Sequence, residues 1–179
     1  MSDELKGSSL EFGTIIAFVA PGFLALKAAA YHLPTAHNWM QAASDKDQNV
    51  GVFLFALLAS LSLGLAVSGV RALLIDGLLS WEMLGPLKLP KLTIDWKALD
   101  EKGLAKLVAL RDNYYRFYQF YSNTMVALAV WIVARSTSDM PPLAGQSWVA
   151  LVAILVVLLL AARQQLNLYY AAVNALGAA

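Results

Sequence analysis

The chain has 179 residues, of which 59% are apolar and only 14% charged, against about a quarter charged in an ordinary soluble domain. Thirteen lysines and arginines face twelve aspartates and glutamates, so no basic excess marks a binder of duplex nucleic acid. The chain has no cysteine, which excludes a disulfide framework, a thiolate metal site and a cysteine nucleophile.

A helix needs about 20 mostly apolar residues to cross a bilayer, because each adds about 1.5 Å across roughly 30 Å of hydrocarbon. Four stretches meet that length, and the fold class they predict is an all-α membrane protein with four transmembrane helices forming a single domain over residues 1–179. The first spans residues 12–33. Asp3, Glu4 and Glu11 precede it against Lys6 alone, unlike the positive start of a cleaved signal peptide, so a retained helix is expected. Pro21 and Gly22 lie mid-span, where they kink the helix and free a carbonyl, and packing is a simpler use for them than gating. Lys27, near the outer end, is placed to snorkel to the headgroups, with a pore-lining or lipid-phosphate role as the sharper alternative. His32 and His37 flank Pro34 in the following loop, but no further His or Cys completes a metal site, and Asp45, Lys46 and Asp47 read as a solvated loop. No metal or cofactor is expected.

The second stretch, residues 50–74, carries a small residue at every fourth position: Ala56, Ser60, Gly64, Ser68 and Ala72. Lipid offers little hydrophobic drive between helices, so small residues that let backbones approach predict a tight helix contact. The contact lies either within one subunit or between copies; a homo-oligomer is favoured because four lone helices make a thin functional unit.

Between the second and third stretches lies a connector, residues 75–120. Lys88, Lys91, Lys97, Lys102, Lys106, Arg111 and Arg116 concentrate there, with Arg71 just before it, while the other two loops offer only Lys46 and Arg135. Cytoplasmic loops collect lysine and arginine, so the connector and both termini are placed in the cytoplasm. Tyr31, Trp39, Trp131 and Trp148 then mark the outer face, and the six other tyrosines fall at the cytoplasmic ends of helices three and four. Within the connector, Pro86 and Pro90 stop any helix. Before them a short interfacial helix anchored by Trp81 is expected; after them, Asp95 or Asp100 serves as an N-cap. Leu99, Leu104, Leu107, Val108 and Leu110 recur at helical spacing, predicting one long helix that begins in the cytoplasm and continues as span three, with Gly103 its weak point.

That third span is short if counted from Thr124, but reaches about 20 residues once the aromatic run DNYYRFYQFYSN before it is included. On a helix Arg111, Tyr114, Tyr115 and Tyr118 share one flank, and Arg116, Phe120 and Asn123 share another. The fourth span, residues 143–162, is the most apolar. If it pairs with the third as a hairpin, Arg163, Gln164, Gln165, Asn167, Tyr169 and Tyr170 return to the same level. Aromatic rings that stack on bases, beside arginines that neutralise phosphate, suit a planar anionic ligand. An interfacial belt demands the same residue types and is the plainer account.

Catalysis has little to work with: no span contains Asp or Glu, and no Ser-His-acid set, glycine-rich phosphate loop or metal-spaced cluster is present. An enzyme is not expected. A pore that closes by dewetting is compatible, with Ser60, Ser62, Ser68, Asn123 and Thr124 as candidate lining. Two classes remain: a homo-oligomeric effector that perturbs or permeabilises the membrane on a cytoplasmic cue, and a non-conducting anchor that recruits a soluble partner protein. The candidate response surface is Arg111, Tyr114, Tyr115, Arg116, Tyr118, Arg163, Gln164 and Tyr169.

Four short spans with both ends inside, the basic connector KLPKLTIDWKALDEKGLAKL and the run YYRFYQFY resemble, in layout, the small four-pass transmembrane effectors of bacterial anti-phage defence systems, of the Kiwa membrane subunit or Hailong channel type. The resemblance covers most of the chain. It implies a tetramer-like assembly in the bacterial inner membrane, a cytoplasmic partner or nucleotide-type signal, and a role in defence. It carries over no individual functional residue.

Overall fold

The computed structural model describes residues 2–42, 50–76 and 100–176, with side chains from residue 15 onward. All regular structure among these residues is helical: α1 (Ser2–Ala29), α2 (Pro34–Ala42), α3 (Val50–Arg71), α4 (Glu101–Leu110), α5 (Arg116–Ser136) and α6 (Gly145–Leu176). Two π-helical turns extend this list, Ala72–Asp76 at the end of α3 and Arg111–Tyr115 between α4 and α5. The Pro86 and Pro90 break, the interfacial helix around Trp81 and the Asp95 cap lie outside the described residues.

Among the described residues, three continuous helices are long and apolar enough to cross a membrane: Val50–Asp76 with 27 residues, Glu101–Ser136 with 36 and Gly145–Leu176 with 32. The apolar part of α1, Ile15–Ala29, is shorter. The first apolar stretch was expected to stay helical to residue 33, but α1 ends at Ala29, because Pro34 opens a new helix and leaves only a turn before it. Here the side chain of His32 replaces missing helical bonds at the end of α5: its Nε2 lies 3.0 Å from the Ala134 carbonyl oxygen and 3.1 Å from Thr137 Oγ1. Tyr31 lies beside Trp131, ring centroids 6.5 Å apart, and accepts a 3.4 Å hydrogen bond from Arg135.

At the centre, α1 packs on α3 and α5. A Cβ built on Gly22 would overlap the Ser60 carbonyl oxygen and stand 2.7 Å from the Gly64 nitrogen, while one built on Gly64 would overlap the Phe18 carbonyl oxygen. The two backbones therefore touch, and only glycine permits it. The small-residue stripe follows this contact for part of its length. Ala56, Ser60 and Gly64 are buried, but Ser68 is only half-buried and Ala72 is exposed. Each residue turns an α-helix by about 100°, so a strict four-residue step drifts by about 40° each time and leaves one face within a few steps. The buried line continues instead through Val67 and Arg71.

α1 runs helically through Pro21. Proline has no N–H for the carbonyl four residues earlier, which belongs to Ala17. Asn123 Nδ2 donates to that Ala17 oxygen at 3.1 Å from α5. The hydroxyls of Ser60, Ser122 and Thr124 each donate to a carbonyl one turn back in their own helix, at 2.7, 2.6 and 2.7 Å.

The long helix that runs into α5 begins where Asp100 caps it: the carboxylate accepts the Gly103 N–H at 2.7 Å. Gly103 thus belongs to the cap, and the irregularity in this helix is the π-helical turn ten residues further on, where the Arg116 N–H reaches back to the Arg111 carbonyl. α6 packs on α5 and on the turn before it, and its described buried side chains are Ala162, Leu166 and Val173.

Candidate functional site

The charged end of the bundle is assembled by both π-helical turns. Arg71 ends α3 with its side chain 5% exposed, and Asp76 stands five residues later. On an α-helix five residues rotate by about 500°, which would leave the two side chains some 140° apart. The wider π-helical turn over Ala72–Asp76 takes up much of that difference. Arg71 Nη1 stands 3.6 Å from Asp76 Oδ1.

From α5, Tyr118 completes the group. It is 1% exposed, donates its hydroxyl to the Asp76 carboxylate, and presents its ring face to Arg71, whose guanidinium carbon is 5.1 Å from the centroid. Arg71 Nε and Nη1 have no hydrogen-bond partner among the described residues. A guanidinium buried with unused donors is held by Coulomb attraction and the aromatic face, an arrangement that depends on Asp76 staying in place.

Around this group the tyrosines form a chain of contacts. Tyr115 is 5.6 Å from Tyr118 and 5.4 Å from Tyr169 of α6, and Tyr169 is 5.9 Å from Tyr170, centroid to centroid. Tyr115, Tyr169 and Tyr170 also pack against the buried cluster of Ala25, Val67, Ile75, Tyr118, Ala162 and Leu166. On the second π-helical turn, Asp112 pairs with Arg116 at 2.9 Å and with Arg111 at 3.4 Å. Helix α6 does return its aromatic end to the level of Tyr115.

Of the expected response surface, Tyr115, Tyr118 and Tyr169 are brought into one contact chain. Tyr114 and Arg163 are half-buried, Arg111 and Gln164 are exposed, and Arg116 is engaged with Asp112. The residues that organise the layer, Arg71 and Asp76, were not foreseen as a site; Arg71 counted only as one of the cations between the second and third stretches. Their spacing gives no α-helical pairing signal. The candidate pore residues do not share a lining in one chain: Asn123 and Ser60 are fully buried between helices, whereas Ser62 is exposed and Thr124 half-buried.

Tyr118 offers no free ring face, since Arg71 occupies it. The arrangement is therefore a clamp: a cation on α3, an anion on the turn leading into the connector, and a phenol on α5 that binds both. Protein families, curated proteins and solved structures yield no match to the chain.

Proposed function

We propose that this chain is a homo-oligomeric integral membrane effector of the bacterial inner membrane that couples a cytoplasmic cue, received on its connector, to perturbation or permeabilisation of the bilayer. In this reading α1 is the first of four crossings, both termini and the connector are cytoplasmic, and the assembly is a tetramer acting in anti-phage defence, as the layout resemblance implies. The excess of Lys and Arg on the connector supports the orientation. Two aromatic layers separated by about 24 Å along α5, at Tyr115 and Trp131, support the crossing. Most of the α6 surface is left to lipid or to another copy.

The observation that carries the coupling is the Arg71–Asp76–Tyr118 clamp. Asp76 lies at the start of the connector and holds a buried cation of α3 and a buried phenol of α5 at once. A partner protein or a nucleotide-type ligand that displaces the connector pulls on Asp76. Release leaves Arg71 buried without its counter-ion, a state costly enough to drive repacking of α3 against α5. Ionisable groups at membrane depth are expensive, which favours a functional reason for keeping them.

Inducible expression in bacteria with a potential-sensitive dye tests this. Asp76→Asn is expected to depolarise the membrane without the cue, by about tenfold over wild type in the fraction of affected cells, the factor that about 1.4 kcal/mol of lost clamp would give. Arg71→Leu combined with Asp76→Leu removes the clamp without stranding a charge and is expected to stay silent. A silent Asp76→Asn protein that still assembles removes the coupling.

The second reading, a non-conducting anchor for a cytoplasmic protein partner, is favoured by the burial of Ser60 and Asn123 inside one chain. Conduction would have to run between copies. Purified wild type and Asp76→Asn in dye-loaded liposomes separate the two readings: an anchor releases no dye in either form.

A further inference from the structure

Apart from the clamp, an apolar groove of about 520 Å³ opens between α1 and α3. Ile15, Val19 and Phe23 of α1 form one wall, Phe53 and Leu57 of α3 the other, and Met40 of α2 closes the end. Met40 also borders a second cleft of mixed lining, in which Lys27, His32, His37 and Asp139 stand beside Leu33 and Met140, so the two spaces meet at one side chain. Phe23 and Lys27 are one turn apart on α1, and both are exposed. Among the described residues no carboxylate pairs with Lys27.

We infer that this double cleft holds one anionic phospholipid, an acyl chain in the groove and the phosphate on Lys27. The dimensions argue for it. From Ile15 to Phe23 the helix rises about 12 Å and from Ile15 to Lys27 about 18 Å. One leaflet has about 15 Å of hydrocarbon with its phosphates just beyond. The groove therefore covers most of a leaflet's depth, and the cation stands where a phosphate lies. Its aliphatic and aromatic lining suits an acyl chain laid along α1. Lys27 is exposed, and no described carboxylate pairs with it, which leaves its ammonium open to a phosphate.

This assignment rests on the four-span placement, which puts the site in the outer leaflet, but not on the clamp. The test is native mass spectrometry of the full chain taken from nanodiscs of equal phosphatidylglycerol and phosphatidylcholine. Wild type is expected to retain phosphatidylglycerol about fivefold over phosphatidylcholine, the factor for about 1 kcal/mol per lysine at a headgroup. Lys27→Gln should abolish that preference while still carrying lipid. Ala20→Phe, at an exposed position lining the groove, should lower retention of both lipids with no change in elution volume. An unchanged preference in Lys27→Gln, unchanged retention in Ala20→Phe, or efficient copy-to-copy cross-linking of Ala20→Cys would each overturn the lipid site. Labelling of Lys27→Cys in intact cells by a membrane-impermeant thiol reagent tests the placement separately. No labelling would overturn the outer-leaflet assignment and the four-span reading together. Labelling without lipid preference would overturn the lipid site alone.

Discussion

In the middle of the bundle α1 and α3 meet backbone to backbone, with Gly22 against Ser60 and Gly64, whereas at the connector end α3 and α5 meet through the side chains of Arg71, Asp76 and Tyr118. The first contact has one arrangement, because glycine leaves no atom to move. The second is made of long side chains carrying charge, and its counter-ion sits on a turn leading into the connector. A rigid centre beside a releasable end is what a protein needs if movement is to be confined to one end.

The comparison breaks most severely at the centre. Gly64→Val should lose about 3 kcal/mol, as expected for overpacking a site whose neighbours are backbone, read as loss of the folded peak in mild detergent; normal stability would mean that the helices separate freely. At the clamp Asp76→Ala should lose about 2 kcal/mol, below the usual loss for a stranded buried charge because Asp76 is partly exposed. Arg71→Leu with Asp76→Leu should recover most of it in the same thermal assay. A double variant no better than the single one would show that the clamp holds the fold rather than biasing it.

Smaller effects sharpen the picture. Asn123→Leu should lose about 1 kcal/mol by stranding the Ala17 carbonyl. Adding Pro21→Ala, which restores the N–H that this carbonyl lacks, should bring part of the loss back. Failure of that rescue in a detergent unfolding titration would assign the cost to packing instead. Ser62→Ala, at an exposed hydroxyl bonded only to its own helix, should change stability by less than about 0.5 kcal/mol.

Several of these features were legible in the residues. Pro21 announces a freed carbonyl, and the Gly64 neighbourhood announces a close approach. Asp100 was one of two caps expected, and it accepts the Gly103 N–H. Harder to see was the partner of each. Asn123 read as a candidate pore residue because a polar side chain in an apolar run has no address until its neighbour is known; the structure covers it with α1. The small-residue stripe was extended too far, to Ser68 and Ala72, because four-residue spacing looks regular in a sequence but winds around a helix.

Composition and apolar run length, by themselves, determined that the chain is helical with helices long and apolar enough to cross a membrane, where lipid allows a backbone no partners but its own. They also placed the tyrosines at the start of α5 and the end of α6 at one level. Only the tertiary structure decided that Arg71 and Asp76 belong together. Two π-helical turns shift the register there, and whether a helix widens by one residue is settled by what packs against it, not by the residues in the turn.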